Sequence, residues 1–267
     1  MTADTNARTV TVGLVENHEI TRDGLVARLH LAGYSVVSQV GSVEALAEHY
    51  PLPDVVVCDL HLDGRSGAVA IRYLTDLGAL VLATTGVATA EEVLDAIAAG
   101  ARGFVAKTAP SGAFARAVGA LAAGSYFVSP ELAGFLLDDR RRRPLTQGEI
   151  SHAAVEALRG FAQGDTAAEV AAALGLAQEG LGGLLGQVWG AAQRRRGRYA
   201  PSPQERRVMA LAVRGMPHKQ IAAQLGIGPA RVAELLEHVR DKYVTLYPED
   251  QGIAPLAAAI GGRRGWA

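Results

Sequence analysis

Hydrophobic and polar residues follow two different patterns along this chain. Over the first 123 residues, short apolar runs alternate with amphipathic segments, which predicts five strand–helix units. The predicted strands are 9–15, 35–40, 54–59, 79–84 and 103–106, and the predicted helices are 19–32, 42–49, 67–76, 90–99 and 111–122. Five such units in succession are typical of an α/β fold, a doubly wound parallel sheet with helices on both faces.

Beyond residue 123 the pattern is wholly helical. Ser129-Pro130 opens an amphipathic segment that leads into Arg140–Arg143, which we interpret as a connecting helix and a basic linker. Two similar stretches follow, GDTAAEVAAALGL from Gly164 and GMPHKQIAAQLGI from Gly215, and each predicts a helix, a glycine turn and a second helix. The predicted domain limits are 9–123 for the sheet, 124–143 for the connection, and 144–196 and 200–267 for two helix-turn-helix-like units.

Charge is distributed unevenly between the two halves. Residues 1–139 contain 8 Lys+Arg and 16 Asp+Glu, whereas residues 140–267 contain 18 Lys+Arg and 11 Asp+Glu. A basic half indicates a polyanionic partner such as double-stranded DNA, although two ordinary domains of different composition would give the same pattern. We expect a cytoplasmic protein without a membrane segment, since no apolar run is long enough to span a bilayer and the single cysteine, Cys58, cannot form an internal disulfide.

Chemically active residues lie at the ends of four predicted strands. The first strand ends at Glu16-Asn17, and the apolar run before residue 59 ends at Asp59. Two later strands end at Thr84-Thr85 and at Lys107. Because the carboxyl ends of parallel strands meet at one edge of a sheet, we expect these side chains to form a pocket there.

Four of these segments resemble a known family. LVENHEITRDGL, VVVCDLHLDGRSG, LATTG and GFVAK are similar, in order and spacing, to the receiver domain of bacterial response regulators over about residues 9–123. The segment SPQERRVMALAVRGMPHKQIAAQLGIGPARVAELLEHVRDKY at 202–243 resembles a LuxR-type helix-turn-helix domain. Together they resemble a response regulator of the NarL/FixJ type. The resemblance implies a homodimeric, DNA-binding transcriptional regulator of a two-component system that is not an enzyme, and it leaves the presence of a sensor kinase open.

The resemblance also implies roles for residues of the pocket. Asp59 would accept a phosphoryl group as a carboxylate nucleophile. Thr84 and Lys107 would contact that phosphoryl group, and Phe104 would be the aromatic side chain that switches rotamer. Thr84 is preferred to its neighbour Thr85 because the loop that follows is one residue longer than is usual in the family.

A metal site is implied at Glu16, Asn17 and Asp59. The family carries two Asp residues where this chain has Glu16-Asn17, so Mg²⁺ binding should be weakened by the amide and the receiver is expected to work without phosphorylation. An alternative is a receiver fold that serves only for dimerisation or ligand binding. We interpret His18 as a residue at the start of a helix rather than a metal ligand, and we expect the His61 side chain to face solvent.

The second helix-turn-helix-like unit carries the candidate DNA contacts. Arg231 is the candidate for base readout, and Lys219 and Lys242 are candidates for phosphate contacts. The full set of candidate DNA-binding residues is Lys219, Arg231, Glu234, His238 and Lys242. The corresponding helix of the first unit, residues 177–191, has five glycines and no Lys or Arg, so we interpret it as a degenerate copy used for packing or dimerisation.

Two other functions remain open from the sequence. One is a protein-binding regulatory module without direct DNA binding, which an absence of salt-dependent DNA binding would reveal. The other is a phosphatase with an aspartate nucleophile. That class carries a second acid two residues after the nucleophile, whereas this chain has His61 at that position.

Overall fold

The computed structural model describes residues 9–49, 51–65, 67–143 and 150–246. It divides the chain into two compact units, the first ending at Gln193 and the second beginning at Arg194. The first unit therefore includes the described residues 124–143 and 150–193 together with the sheet, whereas the sequence predicted separate segments at 124–143 and 144–196. The reason is that helices of this segment share a hydrophobic core with the sheet.

The first unit is built on a five-stranded parallel sheet, which confirms the predicted fold class. Its strands are β1 (Thr11–Val15), β2 (Ser35–Val40), β3 (Val55–Asp59), β4 (Val81–Thr85) and β5 (Gly103–Ala106). The helices between and after them are α1 (Glu19–Leu31), α2 (Val43–Ala47), α3 (Gly67–Asp76), α4 (Ala90–Ala99) and α5 (Ser111–Ala122). The strand order β2-β1-β3-β4-β5 reverses direction between β1 and β3. That reversal places a crevice outside the carboxyl ends of these strands.

The two faces of the sheet are covered differently. On one face, Val57 and Leu82 pack with Leu29 of α1 and Phe114 of α5. The opposite face packs against α2, α3 and α4, and the same hydrophobic cluster continues outward into four later helices. These helices are α6 (Pro130–Arg142), α7 (His152–Gln163), α8 (Ala167–Ala173) and α9 (Gln178–Tyr199).

Helix α9 forms despite its glycines because one side of it is buried. Leu181, Leu185 and Val188 are each about 2–3% exposed, and they join the core under the sheet. Burial of a large aliphatic side chain contributes about 1.5–3 kcal/mol, which exceeds the cost of about 1 kcal/mol for each glycine. Tertiary packing thus overrides a weak helical propensity. The packing role predicted for the first copy is what the structure shows, and its role in dimerisation stays a prediction.

The second unit is a three-helix bundle in its described part. It contains α10 (Pro203–Val213), α11 (His218–Leu225) and α12 (Pro229–Leu246). Gly226 ends α11 with φ of 65°, a left-handed conformation that glycine adopts without strain, and this turn directs the chain into α12. The core face of α12 is formed by four residues that are all buried, Val232, Leu235, Leu236 and Val239. Residues 247–267 of the predicted DNA-binding domain lie outside the described part of the chain.

Candidate functional site

A pocket of charged residues lies where β1, β3 and β5 end. Glu16 follows β1, Asp59 is the last residue of β3, and Lys107 follows β5. The Lys107 Nζ donates a hydrogen bond of 2.8 Å to Asp59 Oδ2, and it also forms an ion pair with Glu16 Oε2. Glu16 and Asp59 are 0% and 1% exposed. One ammonium group therefore lies between two buried carboxylates.

The pKa shifts of this pocket follow from that arrangement. Burial by itself raises the pKa of the Glu16 carboxyl, but hydrogen bonds from the Lys107 ammonium and from the backbone N–H of His18 bring it below its ordinary value. Burial by itself lowers the pKa of the Lys107 ammonium, but hydrogen bonds to Asp59 and Glu16, together with their negative charges, raise it overall. Glu16 and Lys107 therefore both stay charged near neutral pH.

Two oxygen atoms of the pocket have no partner within the described part of the chain. They are Asp59 Oδ1 and Asn17 Oδ1, and both are buried. Glu16, His18 and Asp59 each offer a ligand atom, and these three atoms lie within 4.8 Å of one another. Unsatisfied buried oxygens beside two carboxylates fit a divalent cation, because such an ion accepts carboxylate and amide oxygens as ligands.

The two adjacent hydroxyl groups at the end of β4 have different surroundings. The Thr84 hydroxyl donates a hydrogen bond of 2.7 Å to the backbone carbonyl of Val105, so its proton is engaged inside the sheet. Phe104 is fully buried and packs in the same core cluster as Ala83. Since side chains alternate along a strand, Thr85 lies on the face of Ala83 and Phe104, whereas Thr84 lies on the other face. Thr84, the hydroxyl residue that the sequence favoured as the partner of Phe104, therefore lies on the opposite face of the sheet from Phe104.

His61 contacts two groups rather than only solvent. Its Nδ1 lies 2.9 Å from Thr85 Oγ1, and its Nε2 lies 3.4 Å from Glu92 Oε1. The side chain is half exposed, so the expectation that it faces solvent is correct only for part of the ring. Glu92 also forms a capping box with Thr89 at the start of α4. His61 therefore connects the loop after β3 with the end of β4 and the first turn of α4.

The outer surface of α4 is bound by α6. Arg143, the C-cap residue of α6, is 4% exposed and forms ion pairs with Asp139 of its own helix and with Glu91 of α4. The second of these pairs joins residues that lie 52 positions apart. Arg143, which the sequence predicts to lie in a basic linker, is a buried residue that connects α6 to α4.

The candidate DNA contacts of α11 and α12 are mostly accessible. Lys219, Arg231, Glu234 and His238 are exposed, and the last three follow each other at positions that share one side of α12. Arg231 Nη1 donates a hydrogen bond of 2.7 Å to Glu234 Oε2, which lowers the pKa of the Glu234 carboxyl. The Arg231 side chain remains 46% exposed. It is therefore accessible to a polyanion.

Lys242 differs from the other basic candidates. Its Nζ donates a hydrogen bond of 2.7 Å to Glu205 Oε2, and its side chain is 28% exposed. Glu205 also accepts a hydrogen bond from the backbone N–H of Ser202 in the capping box of α10. Lys242 thus joins the end of α12 to the beginning of α10. No helix in the described ranges is both long and apolar enough to cross a bilayer.

Comparisons with known proteins agree on one class. Residues 12–118 match the response regulator receiver domain. The chain is 36% identical over 149 residues to the DNA-binding transcriptional activator DevR/DosR of Mycobacterium tuberculosis, over 53% of this chain and 68% of that protein. It is 34% identical over 173 residues to the transcriptional regulatory protein UhpA of Escherichia coli, over 62% of this chain and 83% of that protein.

A solved structure is also similar to part of the chain. It is the crystal structure of a two-component response regulator of the LuxR family from Aurantimonas sp. SI85-9A1. The sequence identity is 32% and the TM-score is 0.45, with 50% of this chain and 99% of that chain covered.

Proposed function

This chain belongs to the response-regulator family, and we propose on that premise that it is a transcriptional regulator that binds double-stranded DNA through its second unit. The observation that carries the proposal is the exposed Arg231 in the first turn of α12, on a helix whose opposite side is buried in a core. In helix-turn-helix proteins the second helix enters the major groove, and the residues near its N-terminus contact base edges. Lys219 on the preceding helix suits a phosphate contact.

The quaternary state and location follow from the same premise. We propose a homodimer, because two copies of α12 one helical turn of DNA apart read a palindromic site with more contacts than one copy does. A location in the cytoplasm is proposed because that is where the DNA is accessible. A protein-binding module without DNA binding is the alternative, and neither of the two curated relatives described above carries a name that supports it.

Salt-dependent DNA binding is the direct test of this function. The purified chain would be titrated with a pool of duplexes, and the bound fraction would be sequenced to obtain a preferred site. The affinity for that site should fall as salt rises, because each neutralised phosphate releases counterions. The protein-binding alternative predicts that no duplex is enriched and that no salt-dependent complex forms.

In the receiver, we propose that Asp59 is the phosphoryl acceptor and that Mg²⁺ binds weakly to Glu16, Asn17 and Asp59. When bound, the ion would neutralise charge that develops on a transferred phosphoryl group. The carboxylate of Asp59 would act as the nucleophile, and the Lys107 ammonium would pair with the phosphoryl charge. Asn17 supplies one neutral oxygen in place of a carboxylate, so phosphorylation should be slow and the regulator should retain function without it.

For the hydroxyl contact we propose Thr85 rather than Thr84, which the sequence favoured. The support is the position on the strand: Thr85 lies on the same face of β4 as Ala83 and Phe104, whereas Thr84 lies on the other face. Both hydroxyl groups donate to backbone carbonyls, Thr84 to Val105 and Thr85 to Val87. A hydroxyl on the Phe104 face can transmit a change in the pocket to that aromatic ring. The phosphatase alternative lacks its second acid, because the ring of His61 occupies that position.

A further inference from the structure

His18 lies at the mouth of the acidic pocket. It is the N-cap residue of α1, yet its side chain makes no capping hydrogen bond. Its backbone N–H donates a hydrogen bond of 2.9 Å to Glu16 Oε1, and its ring Nδ1 lies 3.1 Å from the same oxygen. The imidazole is 69% exposed. The ring therefore covers the Glu16 carboxylate from the solvent side.

We infer that this pocket is a mixed nitrogen–oxygen metal site in which His18, Glu16 and Asp59 bind a borderline divalent ion such as Co²⁺ or Zn²⁺ in preference to Mg²⁺. The inference rests on the cation site proposed above and is independent of DNA binding. Imidazole nitrogen suits Zn²⁺, Ni²⁺ and similar ions, whereas Mg²⁺ is suited by carboxylate, carbonyl and water oxygens.

Three observations carry the inference. The ligand atoms of His18, Glu16 and Asp59 lie within 4.8 Å of one another, so a small rotation of the exposed His18 ring brings all three within the reach of one ion. The Asp59 Oδ1 atom is buried and has no hydrogen-bond partner in the described ranges, so it offers a free lone pair inside the pocket. The neighbouring Asn17 contributes an amide oxygen without a charge, which removes one of the hard anionic ligands that Mg²⁺ prefers.

An ion that enters the pocket must displace the Lys107 ammonium from the carboxylates. Lys107 contacts both carboxylates, so an incoming ion replaces the ammonium on at least one of them. The Lys107 side chain is 16% exposed, and it can withdraw toward the solvent edge. An ion that gains a nitrogen ligand from His18 recovers more interaction energy from this exchange than Mg²⁺ does. The lysine thus lowers the affinity for every divalent ion by a similar amount, and the nitrogen ligand of His18 decides which ion binds more tightly.

The test is metal binding by the full-length, tag-free protein after chelator treatment. Co²⁺ and Mg²⁺ would be titrated separately by calorimetry, and visible absorption would report nitrogen ligation of Co²⁺. We expect one Co²⁺ per chain with an affinity at least about tenfold higher than that of Mg²⁺. His18→Ala should weaken Co²⁺ binding by at least about tenfold, because loss of a group that merely orients a metal ligand already costs about that much. The same substitution should leave Mg²⁺ binding nearly unchanged. Asp59→Asn should weaken both.

Matched variants identify the histidine and separate the possible failures. His30→Ala removes an exposed histidine of the same helix and should leave both affinities unchanged. His18→Gln repeats the test with a side chain of similar size. If His18→Ala and His18→Gln bind Co²⁺ as the parent does, or if His61→Ala lowers the affinity instead, the inference is overturned while the cation site stands. If neither Co²⁺ nor Mg²⁺ binds the parent protein, the proposed cation site fails together with the inference.

Discussion

The indole Nε1 of Trp189 donates a hydrogen bond of 2.8 Å to the backbone carbonyl of Ala101, a residue that lies 88 positions earlier in the chain. Ala101 is the residue between the end of α4 and β5, and Trp189 belongs to α9. The Trp189 ring also packs on Tyr126, with 4.6 Å between the ring centroids. The first helix-turn-helix-like unit is thus bound directly to the loop that leads into the strand of Phe104.

Trp189→Phe should lower the free energy of unfolding of the full-length chain. The variant keeps an aromatic ring but leaves the buried Ala101 carbonyl without its donor, which costs about 1–3 kcal/mol. Urea unfolding followed by far-ultraviolet circular dichroism measures the change. Leu31→Ala, at a side chain that is 90% exposed, is the control and should remain within about 0.5 kcal/mol of the parent. Equal midpoints for Trp189→Phe and the parent would show that the hydrogen bond does not stabilise the docking of α9.

The parent protein should be phosphorylated only in part by a small phosphodonor with Mg²⁺. Glu16→Asp combined with Asn17→Asp should raise the phosphorylated fraction, because a second carboxylate strengthens Mg²⁺ binding. Intact mass spectrometry reports the fraction directly, and Asp59→Asn is the control that should abolish it. Stoichiometric, Mg²⁺-dependent phosphorylation of the parent would contradict the weakened site.

Thr85→Val should reduce phosphorylation of Asp59 in the Glu16→Asp, Asn17→Asp background, whereas Thr84→Val should not. The reason is that Thr85 lies on the Phe104 face of β4 and Thr84 lies on the other face. Both substitutions conserve side-chain volume, so each serves as the control of the other. Each substitution should also lower the unfolding free energy by about 1 kcal/mol, because Thr84 donates a hydrogen bond to the Val105 carbonyl and Thr85 donates one to the Val87 carbonyl. If Thr84→Val lowers phosphorylation and Thr85→Val does not, Thr84 is the phosphoryl contact, as the sequence predicted.

The receiver pocket should lose stability at both extremes of pH. The folded-state pKa of Glu16 is lowered, so its stabilisation is present above the ordinary Glu pKa and is lost as pH falls through the folded value. The pKa of Lys107 is raised, so its stabilisation is present below the ordinary Lys pKa and is lost as pH rises through the folded value. Thermal unfolding should therefore change little between about pH 5 and pH 9.

Glu16→Gln tests the acid side of that profile. The variant should be less stable than the parent at neutral pH. The difference should shrink as pH falls from the ordinary Glu pKa through the lowered folded-state pKa, because the parent carboxylate is also protonated below that folded-state value. Glu48→Gln, at an exposed position, should follow the parent at every pH. A constant difference between Glu16→Gln and the parent across the acid range would show that Glu16 does not titrate as its ion pair requires.

Arg231→Ala and Lys219→Ala should weaken DNA binding in different ways. Arg231 lies in the first turn of α12, so its loss should cost about 1–3 kcal/mol on the preferred duplex and much less on a scrambled one. Lys219→Ala should weaken binding to both duplexes and reduce the salt slope by about one unit. Equal losses on both duplexes for Arg231→Ala would assign it to a phosphate contact, and Glu234 or His238 would then become the candidate for base readout.

Lys242→Ala provides the basic control for these measurements. Its ammonium is held by Glu205, so its loss should lower the stability of the second unit more than it changes the salt slope. Binding isotherms at several salt concentrations, combined with thermal unfolding of each variant, distinguish the two effects.

The sheet and the polar edge of the pocket could be predicted from the sequence because both depend on short-range patterns. Apolar runs of four to six residues mark buried parallel strands, and a charged residue after each run marks the edge. This information is sufficient to bring Glu16, Asp59 and Lys107 together. These patterns do not predict which of Thr84 and Thr85 contacts the phosphoryl group, since that depends on which face of β4 each side chain occupies.

Contacts between distant residues could not be predicted either. The pairing of Arg143 with Glu91 and of Lys242 with Glu205 depends on how helices dock, and neither pair has a local signal in the sequence. The sequence alone therefore predicts that Arg143 and Lys242 belong to a solvated positive surface. Likewise, the sequence predicts only that His18 lies at the start of a helix. The fold shows that its ring faces the Glu16 carboxylate.

The unequal covering of the sheet has a consequence for biosynthesis. The core on the α1 and α5 face has its last buried residue at Leu121, whereas the core on the opposite face extends to Ala192. Because domains fold while the chain leaves the ribosome, the first core can close early, and the outer part of the second must wait for about seventy further residues. Until α9 emerges, the nascent chain presents an apolar surface beside α4. We therefore expect a fragment that ends before α9 to aggregate more readily than the full-length chain.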